Sequence, residues 1–357
     1  MCRSLSLSLS LSLFLSFSRA LSLALSLSLA RARTHTHHHI APLLLRTILL
    51  PPPLSLPSPP RYDPLSFGGL ADLHGIGKRE GYQGGMVLLM ATCKKFYEYC
   101  MQSGIALHKR NFTLQYDTNI PRQVGMSGSS AIVTAAFKAL MEFYSITDSD
   151  ILPVDQPSFV LAVEADELYI NAGLQDRVVQ GFGGLIAMDF DKEHMEETGT
   201  GRYSRLDASL LPPLWIAYEA DASDSGKIHA DVKARFFAGE EYVVDGMKEF
   251  GRLTDAWMTA LNDGDAAAMD AAMGGNFAKR REMYGDAVIG RSNLRMVAIA
   301  KGCGCSAKFA GSGGTLVGTA TEEQFPLLRE SYEVEGFIFA RVQPYVPEGA
   351  VIGPLTR

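Results

Sequence analysis

Acidic side chains are absent from the first 62 residues, which hold six arginines and no Asp or Glu. That leaves 27 basic and 39 acidic residues in 63–357, a net charge of −12 against −6 for the whole chain. So acidic a body argues against nucleic acid as the partner. Cysteine is scarce: the five (Cys2, Cys93, Cys100, Cys303, Cys305) include no C-x-x-C pair. This excludes a zinc framework and a disulfide scaffold and suits a reducing compartment. Four of the eight histidines crowd into residues 35–39, so the body is poor in histidine. No Gly-x4-Gly-Lys-Ser/Thr string occurs, which excludes a Walker-type phosphate loop. From Ser4 to Leu13 every second residue is Ser, so the apolar start offers no transmembrane span. No internal repeat of fixed period runs through the body.

The leader combines Ser-Leu alternation to Leu29, Arg31-Ala32-Arg33, then Thr34-His35-Thr36-His37. A long Ser/Leu strand without a partner would be an aggregation hazard. An acid-free, Arg- and Ser-rich start also fits an organelle transit peptide. Translated dinucleotide repeats explain all three tracts at once: CT gives Ser-Leu, CG gives Arg-Ala and CA gives Thr-His. We therefore read residues 1–66 as a low-complexity leader, disordered or a gene-model artefact, with Pro51 to Pro60 at best an extended linker. The expected compartment is cytoplasmic, with plastid import through the leader as the alternative.

In the body, apolar residues at three- and four-residue spacing predict a helix from Met86 to Met101 and another from Ser129 to Tyr144. Phe112, Leu114 and Tyr116 alternate with polar residues, which predicts a half-buried strand. A helix near Ser158–Leu168, a short helix through Asp176 and a strand at Leu185–Phe190 follow. A strand from Leu214 leads into helices reaching Met283, and the chain closes as helix, strand, Gly-rich loop, strand, helix and strand. This mixed order predicts α+β in two packed lobes rather than a doubly wound parallel sheet.

Three segments carry candidate chemistry. Pro121, Arg122, Gln123, Val124, Gly125, Met126, Ser127, Gly128, Ser129, Ser130 and Ala131 join a strand to a helix through small residues. Backbone N–H groups there can approach a phosphate at the positive end of the helix, and a Ser hydroxyl can ligate magnesium. An ordinary Gly/Ser turn with Ser129 or Ser130 as N-cap reads the same way. Gly311, Ser312, Gly313 and Gly314 form a second Gly-rich turn, which a hairpin would equally explain. The two loops, in separate lobes, are expected to face each other across a nucleotide. Between them lies Gly173-Leu174-Gln175-Asp176-Arg177, where Asp176 either accepts a hydroxyl proton or merely stabilises a helix N-terminus.

Together these three segments, in this order, resemble the GHMP kinases. The strings Asn119 to Gln123, Ala172 to Arg177 and Asn276 to Asp286 look like the plant glucuronokinase branch, and the resemblance runs from about Gly81 to near the C-terminus. It implies a two-lobed fold, with a ribosomal-protein-S5-like N-terminal lobe over 67–205 and a ferredoxin-like C-terminal lobe over 206–357. It also implies transfer of the ATP γ-phosphoryl group to the anomeric hydroxyl of D-glucuronate, with ATP and Mg2+ required and neither nucleic acid nor membrane as a partner. Carried over, Pro121 to Ala131 wrap the ATP phosphates, Ser130 ligates magnesium, Asp176 is the catalytic acid-base residue, and Gly311 to Gly314 shape the site. The sugar carboxylate calls for an arginine, and Arg122, Arg177, Arg280 and Arg281 are candidates, with Arg122 and Arg177 put forward.

The chain departs from the family twice. No counterpart of the family's first motif precedes Gly81, so the N-terminal lobe is expected to be incomplete at its start. The magnesium-binding Glu of many members, eleven residues before the catalytic Asp, falls on Ala165, leaving the neighbouring Glu164 as the candidate ligand. A one-residue shift turns a helical side chain by about 100°. Galacturonate or arabinose as substrate, or a non-catalytic nucleotide-binding remnant, are the alternatives.

Overall fold

The computed structural model describes residues 46–48, 67–80, 86–116, 118–121, 124–219, 229–311 and 313–355. Backbone contacts divide the chain into two compact units. One consists of Ile120–Gly128 and Gly183–Thr356; the other contains Ser129–Phe182 and the described residues that precede Ile120. This division differs from the expected break at 205/206, and strand pairing explains why residues 183–206 group with the C-terminal end.

In the second of these units, β1 (Arg46–Ile48) pairs antiparallel with β2 (Thr113–Gln115). The rest of the expected leader lies outside the described residues. Helix α1 (Leu70–Glu80), inside the lobe expected from residue 67 but not read as an element from the sequence, places Leu73 in the core. Its two internal glycines, Gly75 and Gly77, each cost about 1 kcal/mol of helix propensity, which hid it from a pattern reading. Helix α2 (Val87–Gln102) buries Cys93, Phe96 and Cys100. Helix α3 (Gly128–Tyr144) answers with Val133, Phe137, Leu140 and Tyr144, spaced three and four apart on one face. Helix α4 (Gln156–Ala162), opened by Pro157, adds Phe159, whose ring stacks on Phe137 at 4.4 Å between centroids. Each such side chain taken from water contributes about 1.5–3 kcal/mol. A π-helical turn, Val163–Glu167, continues α4, and α5 (Leu174–Phe182) ends the unit.

The other unit opens with β3 (Leu185–Asp189), α6 (Lys192–Thr198) and β4 (Arg202–Leu206). Then come β5 (Leu214–Tyr218) and helices α7 (His229–Phe237), α8 (Glu241–Asp263), α9 (Ala266–Tyr284), α10 (Asp286–Ile289) and α11 (Arg291–Gly302). The chain closes through β6 (Ala307–Phe309), β7 (Thr315–Thr319), α12 (Gln324–Val334), β8 (Ile338–Val342) and β9 (Gly353–Leu355). Strands β6-β7-β5-β8 form one sheet and β3-β4-β9 another, with antiparallel pairing throughout. The β4–β9 pairing ties residues 202–206 to the chain's end. A core of Trp215, Phe309, Leu328, Tyr332 and Phe339 lies under the four-stranded sheet's helices. The mixture of helix and antiparallel sheet is α+β, as expected. Among the described residues no helix is long and apolar enough to cross a membrane.

Candidate active site

The two glycine loops do not face each other from separate lobes; they pack back to back within one unit. Gly125 has φ +75°, and a Cβ there would lie 2.3 Å from the Gly313 carbonyl oxygen. A Cβ on Gly314 would come within 3.2 Å of the Val124 backbone. Only residues without side chains permit this approach, which is why glycine occupies both loops. Three further bonds fix the arrangement. Thr315 Oγ1 donates to the Val124 carbonyl at 2.6 Å, the Gly314 N–H donates to Asn293 Oδ1 at 3.1 Å, and Arg280 Nη1 donates to the Gly311 carbonyl at 3.1 Å.

Val124 and Met126 turn into the interior, which anchors the loop, while Pro121, Ser127, Gly128 and Ser129 remain half-buried. Ser127 holds φ +55°, a strained value for a residue with a side chain. Gly128 opens α3, so the loop runs directly into the positive end of a 17-residue helix. Ala131 is buried and offers only backbone. Arg122, Gln123 and Ser312 lie outside the described residues.

Asp176 stands in the first turn of α5, beside a buried charge cluster of its own unit, the one that contains Ser129–Phe182. Arg177 is only 5% exposed. Its Nε donates to Glu164 Oε2 at 2.9 Å, its Nη2 to the same oxygen, and its Nη1 to the Gly173 carbonyl at 2.9 Å and to Asp176 Oδ2 at 3.3 Å. Arg177, put forward above for the sugar carboxylate, is engaged here by internal partners, and the fully buried Glu164 requires its cation. Glu164 Oε1 is buried without a hydrogen-bond partner. Of the carboxylates around Ala165, Asp166 is exposed and Glu167 is held by Lys94 at 2.5 Å, so Glu164 alone combines burial with a free oxygen. It stands twelve residues before Asp176, one more than the family spacing. The intervening π turn takes up one residue more than an α turn would.

Ser130 is buried, and its Oγ accepts from Gln180 Nε2 at 2.9 Å; Gln180 Oε1 in turn accepts from Thr134 Oγ1 at 3.1 Å. Sequence reading missed Gln180, although it lies four residues after Asp176 and hence on the same helical face. Arg281 pairs with Asp286 at the surface. Arg280 is 8% exposed and sits between the rings of Phe309 and Tyr284, at 4.9 and 5.5 Å from their centroids. Burial pulls its pKa down, and next to it burial and the Arg280 charge push Lys308 down to about 7. Among the described residues, no three His, Cys, Asp or Glu side chains gather to hold a metal.

The family profile described as the GHMP kinases N terminal domain matches residues 88–184. Glucuronokinase 1 of Arabidopsis thaliana is 46% identical over 286 residues, spanning 80% of this chain and 78% of that protein. Probable glucuronokinase 2 from the same plant is 46% identical over 287 residues, with the same coverage. The fold is shared with mevalonate kinase of Methanococcus jannaschii (TM-score 0.59, 17% identity, 77% of this chain and 80% of that one). It is also shared with phosphomevalonate kinase of Streptococcus pneumoniae in complex with phosphomevalonate and AMPPNP (TM-score 0.58, 13% identity, 73% and 83%). With identity to the glucuronokinases of this order over most of both chains, the protein belongs to the GHMP kinase family.

Proposed function

We propose that the protein transfers the γ-phosphoryl group of ATP to the anomeric hydroxyl of D-glucuronate, giving glucuronate 1-phosphate and ADP. The observation that carries this reading is the glycine loop of 124–128, locked in shape by Gly313–Thr315 and opening straight into α3. The choice of sugar acid rests on relatives named glucuronokinase at 46% identity.

Phosphoryl transfer needs positioning and charge neutralisation rather than covalent help. Backbone N–H groups of the loop and the N-terminus of α3 bind and orient the nucleotide phosphates. Asp176 accepts the hydroxyl proton on a carboxylate oxygen as the sugar oxygen bonds to the γ-phosphorus and ADP leaves. Arg177 holds that carboxylate in place. Magnesium suits the donors present, since this ion takes one or two carboxylates and phosphate oxygens rather than an all-protein cage. Glu164 Oε1, which lacks a partner, and Ser130 Oγ are the groups that would hold it. The bound ion would neutralise phosphate charge. With Arg177 and Arg281 paired and Arg280 buried, Arg122 is assigned to the sugar carboxylate. The proposed compartment is the cytosol, consistent with four buried free thiols.

The test is ATP-dependent phosphorylation by the purified full chain of glucuronate, galacturonate, galactose and arabinose, with Asp176→Asn alongside. Turnover on glucuronate that disappears in a folded Asp176→Asn protein is expected. Preference for another sugar would reassign the substrate, and ATP binding without transfer to any sugar would overturn the kinase reading.

A further inference from the structure

Two cations lie buried against the start of the C-terminal glycine loop. Arg280, from α9, is 8% exposed and donates from Nη1 to the Gly311 carbonyl at 3.1 Å, with its guanidinium 4.9 Å from the Phe309 ring centroid. Lys308, in β6, is 5% exposed, and its Nζ donates to the Phe309 carbonyl at 2.7 Å. Both charged groups therefore bind the same short stretch, residues 309–311. That stretch runs into Gly313–Thr315, which touch Val124 and Gly125, all within one compact unit.

The elements packed on β6 bring groups that are neutral, engaged or exposed. Strand β7, paired with β6, carries no titratable side chain. Helix α9 brings the ring of Tyr284, which lies 5.5 Å from Arg280, and Asp270, whose carboxylate accepts from the Ser306 N–H at 2.8 Å just ahead of β6. Its other charged residues near Arg280 pair outside the core, Lys279 with Glu282 and Arg281 with Asp286. The basic residues of α11 (Arg291, Arg295 and Lys301) are exposed. Burying one cation is costly, and a second beside it adds like-charge repulsion. An arginine keeps its proton, so the lysine is the one that yields. Burial and then the Arg280 charge accordingly bring Lys308 down to about 7. An anion held on the neighbouring loop reverses that balance, because its charge acts through protein rather than water and favours the protonated amine.

We propose that Lys308 is neutral in the nucleotide-free protein and takes a proton from solvent when the ATP phosphates settle on the loop of residues 124–128, so that nucleotide and proton bind together. This rests on the nucleotide-binding reading above. Lys308 is a positioning residue, not a catalytic one: it compensates phosphate charge from behind the glycine loop and touches neither phosphate nor sugar. Arg280 supplies a permanent charge beside it, and Lys308 adds a second only when an anion is there to balance both. Linkage then makes ATP affinity fall by up to about tenfold per pH unit wherever a whole proton is taken up.

Calorimetric titration of the purified full chain with ATP, without sugar, in two buffers of different ionisation enthalpy counts the protons. At pH 8 phosphate groups are already ionised, their last pKa being about 6, so uptake there belongs to the protein. The wild type is expected to gain about 0.9 proton per ATP at pH 8, and its affinity to fall about five- to tenfold between pH 8 and 9. Lys308→Met is expected to bind ATP with no uptake and to hold its affinity within about twofold over the same range. Lys308→Arg keeps its charge at every pH and is likewise expected to bind without uptake, which covers a Met variant that fails to fold. A wild type that binds ATP with no proton uptake, or uptake that persists in either folded variant, would overturn the proposal and leave the kinase reading standing. A folded wild type that does not bind ATP would remove both.

Discussion

Thr315 reaches across 191 residues of sequence to donate a 2.6 Å hydrogen bond to the carbonyl of Val124, latching the C-terminal glycine loop onto the loop of residues 124–128. Both groups are buried, so removing the donor strands an acceptor away from water. Thr315→Val keeps the shape and is expected to cost about 1–3 kcal/mol. Thermal denaturation should show that loss, and steady-state kinetics should show the KM for ATP rising more than the KM for the sugar.

Gly125 allows a sharper test. A methyl group there would meet the Gly313 carbonyl oxygen at 2.3 Å, and backbone cannot swing aside as a flexible side chain does. Relief needs a movement of about 1 Å in the loop proposed to position phosphates, a displacement that costs about a hundredfold in rate. Gly125→Ala is expected to lower kcat/KM for ATP by that order. Gly104, with φ +69° and nothing within 4 Å, supplies the control. Gly104→Ala carries backbone strain alone and should lose stability without losing turnover.

Arg177→Met would leave the fully buried Glu164 without its cation. Breaking such a pair from one side costs about 3–5 kcal/mol. Chemical denaturation should record that drop, and adding Glu164→Gln should restore much of it, because the second change removes the unpaired charge. If Arg177→Met were neutral, the buried pair would not hold the cluster together.

Lys308, 5% exposed beside Arg280, titrates near 7 when folded because burial and then the Arg280 charge disfavour its cation. Unfolded, it titrates near 10.4. Between these values the unfolded chain binds more protons, so this group's contribution to stability rises with pH, by at most about 1.4 kcal/mol per pH unit. Below pH 7 both states are protonated and the contribution is flat. Lys308→Met lacks the rise, so its stability relative to wild type should fall as pH increases from 7 to 10.

Much of the architecture was legible because periodic apolar residues dictate it. Val133, Phe137, Leu140 and Tyr144 repeat at helical spacing, and α3 buries that face. The strand at Leu214 and the closing series from α11 to β8 also fall where alternation and turn residues placed them. Helix α1 escaped because two glycines masked its pattern. Helix α6 and β4 escaped because a charged seven-residue helix with no buried residue carries no core signal, and a five-residue strand with only two buried residues carries little. The candidate aspartate and the two glycine loops were visible as local strings; that Gln180 bonds Ser130, Asn293 bonds Gly314 and Arg280 bonds Gly311 was not.

The sequence by itself determined the α+β class, the small-residue loops and the candidacy of Asp176, because composition and short-range spacing suffice for each. Tertiary structure alone decided that Arg177 pairs with Glu164, that the two glycine loops touch, and that Glu164 stands in a π turn. These outcomes depend on which groups folding buries together. An arginine's choice among carboxylates follows from desolvation, and a glycine's necessity follows from the backbone that lies against it.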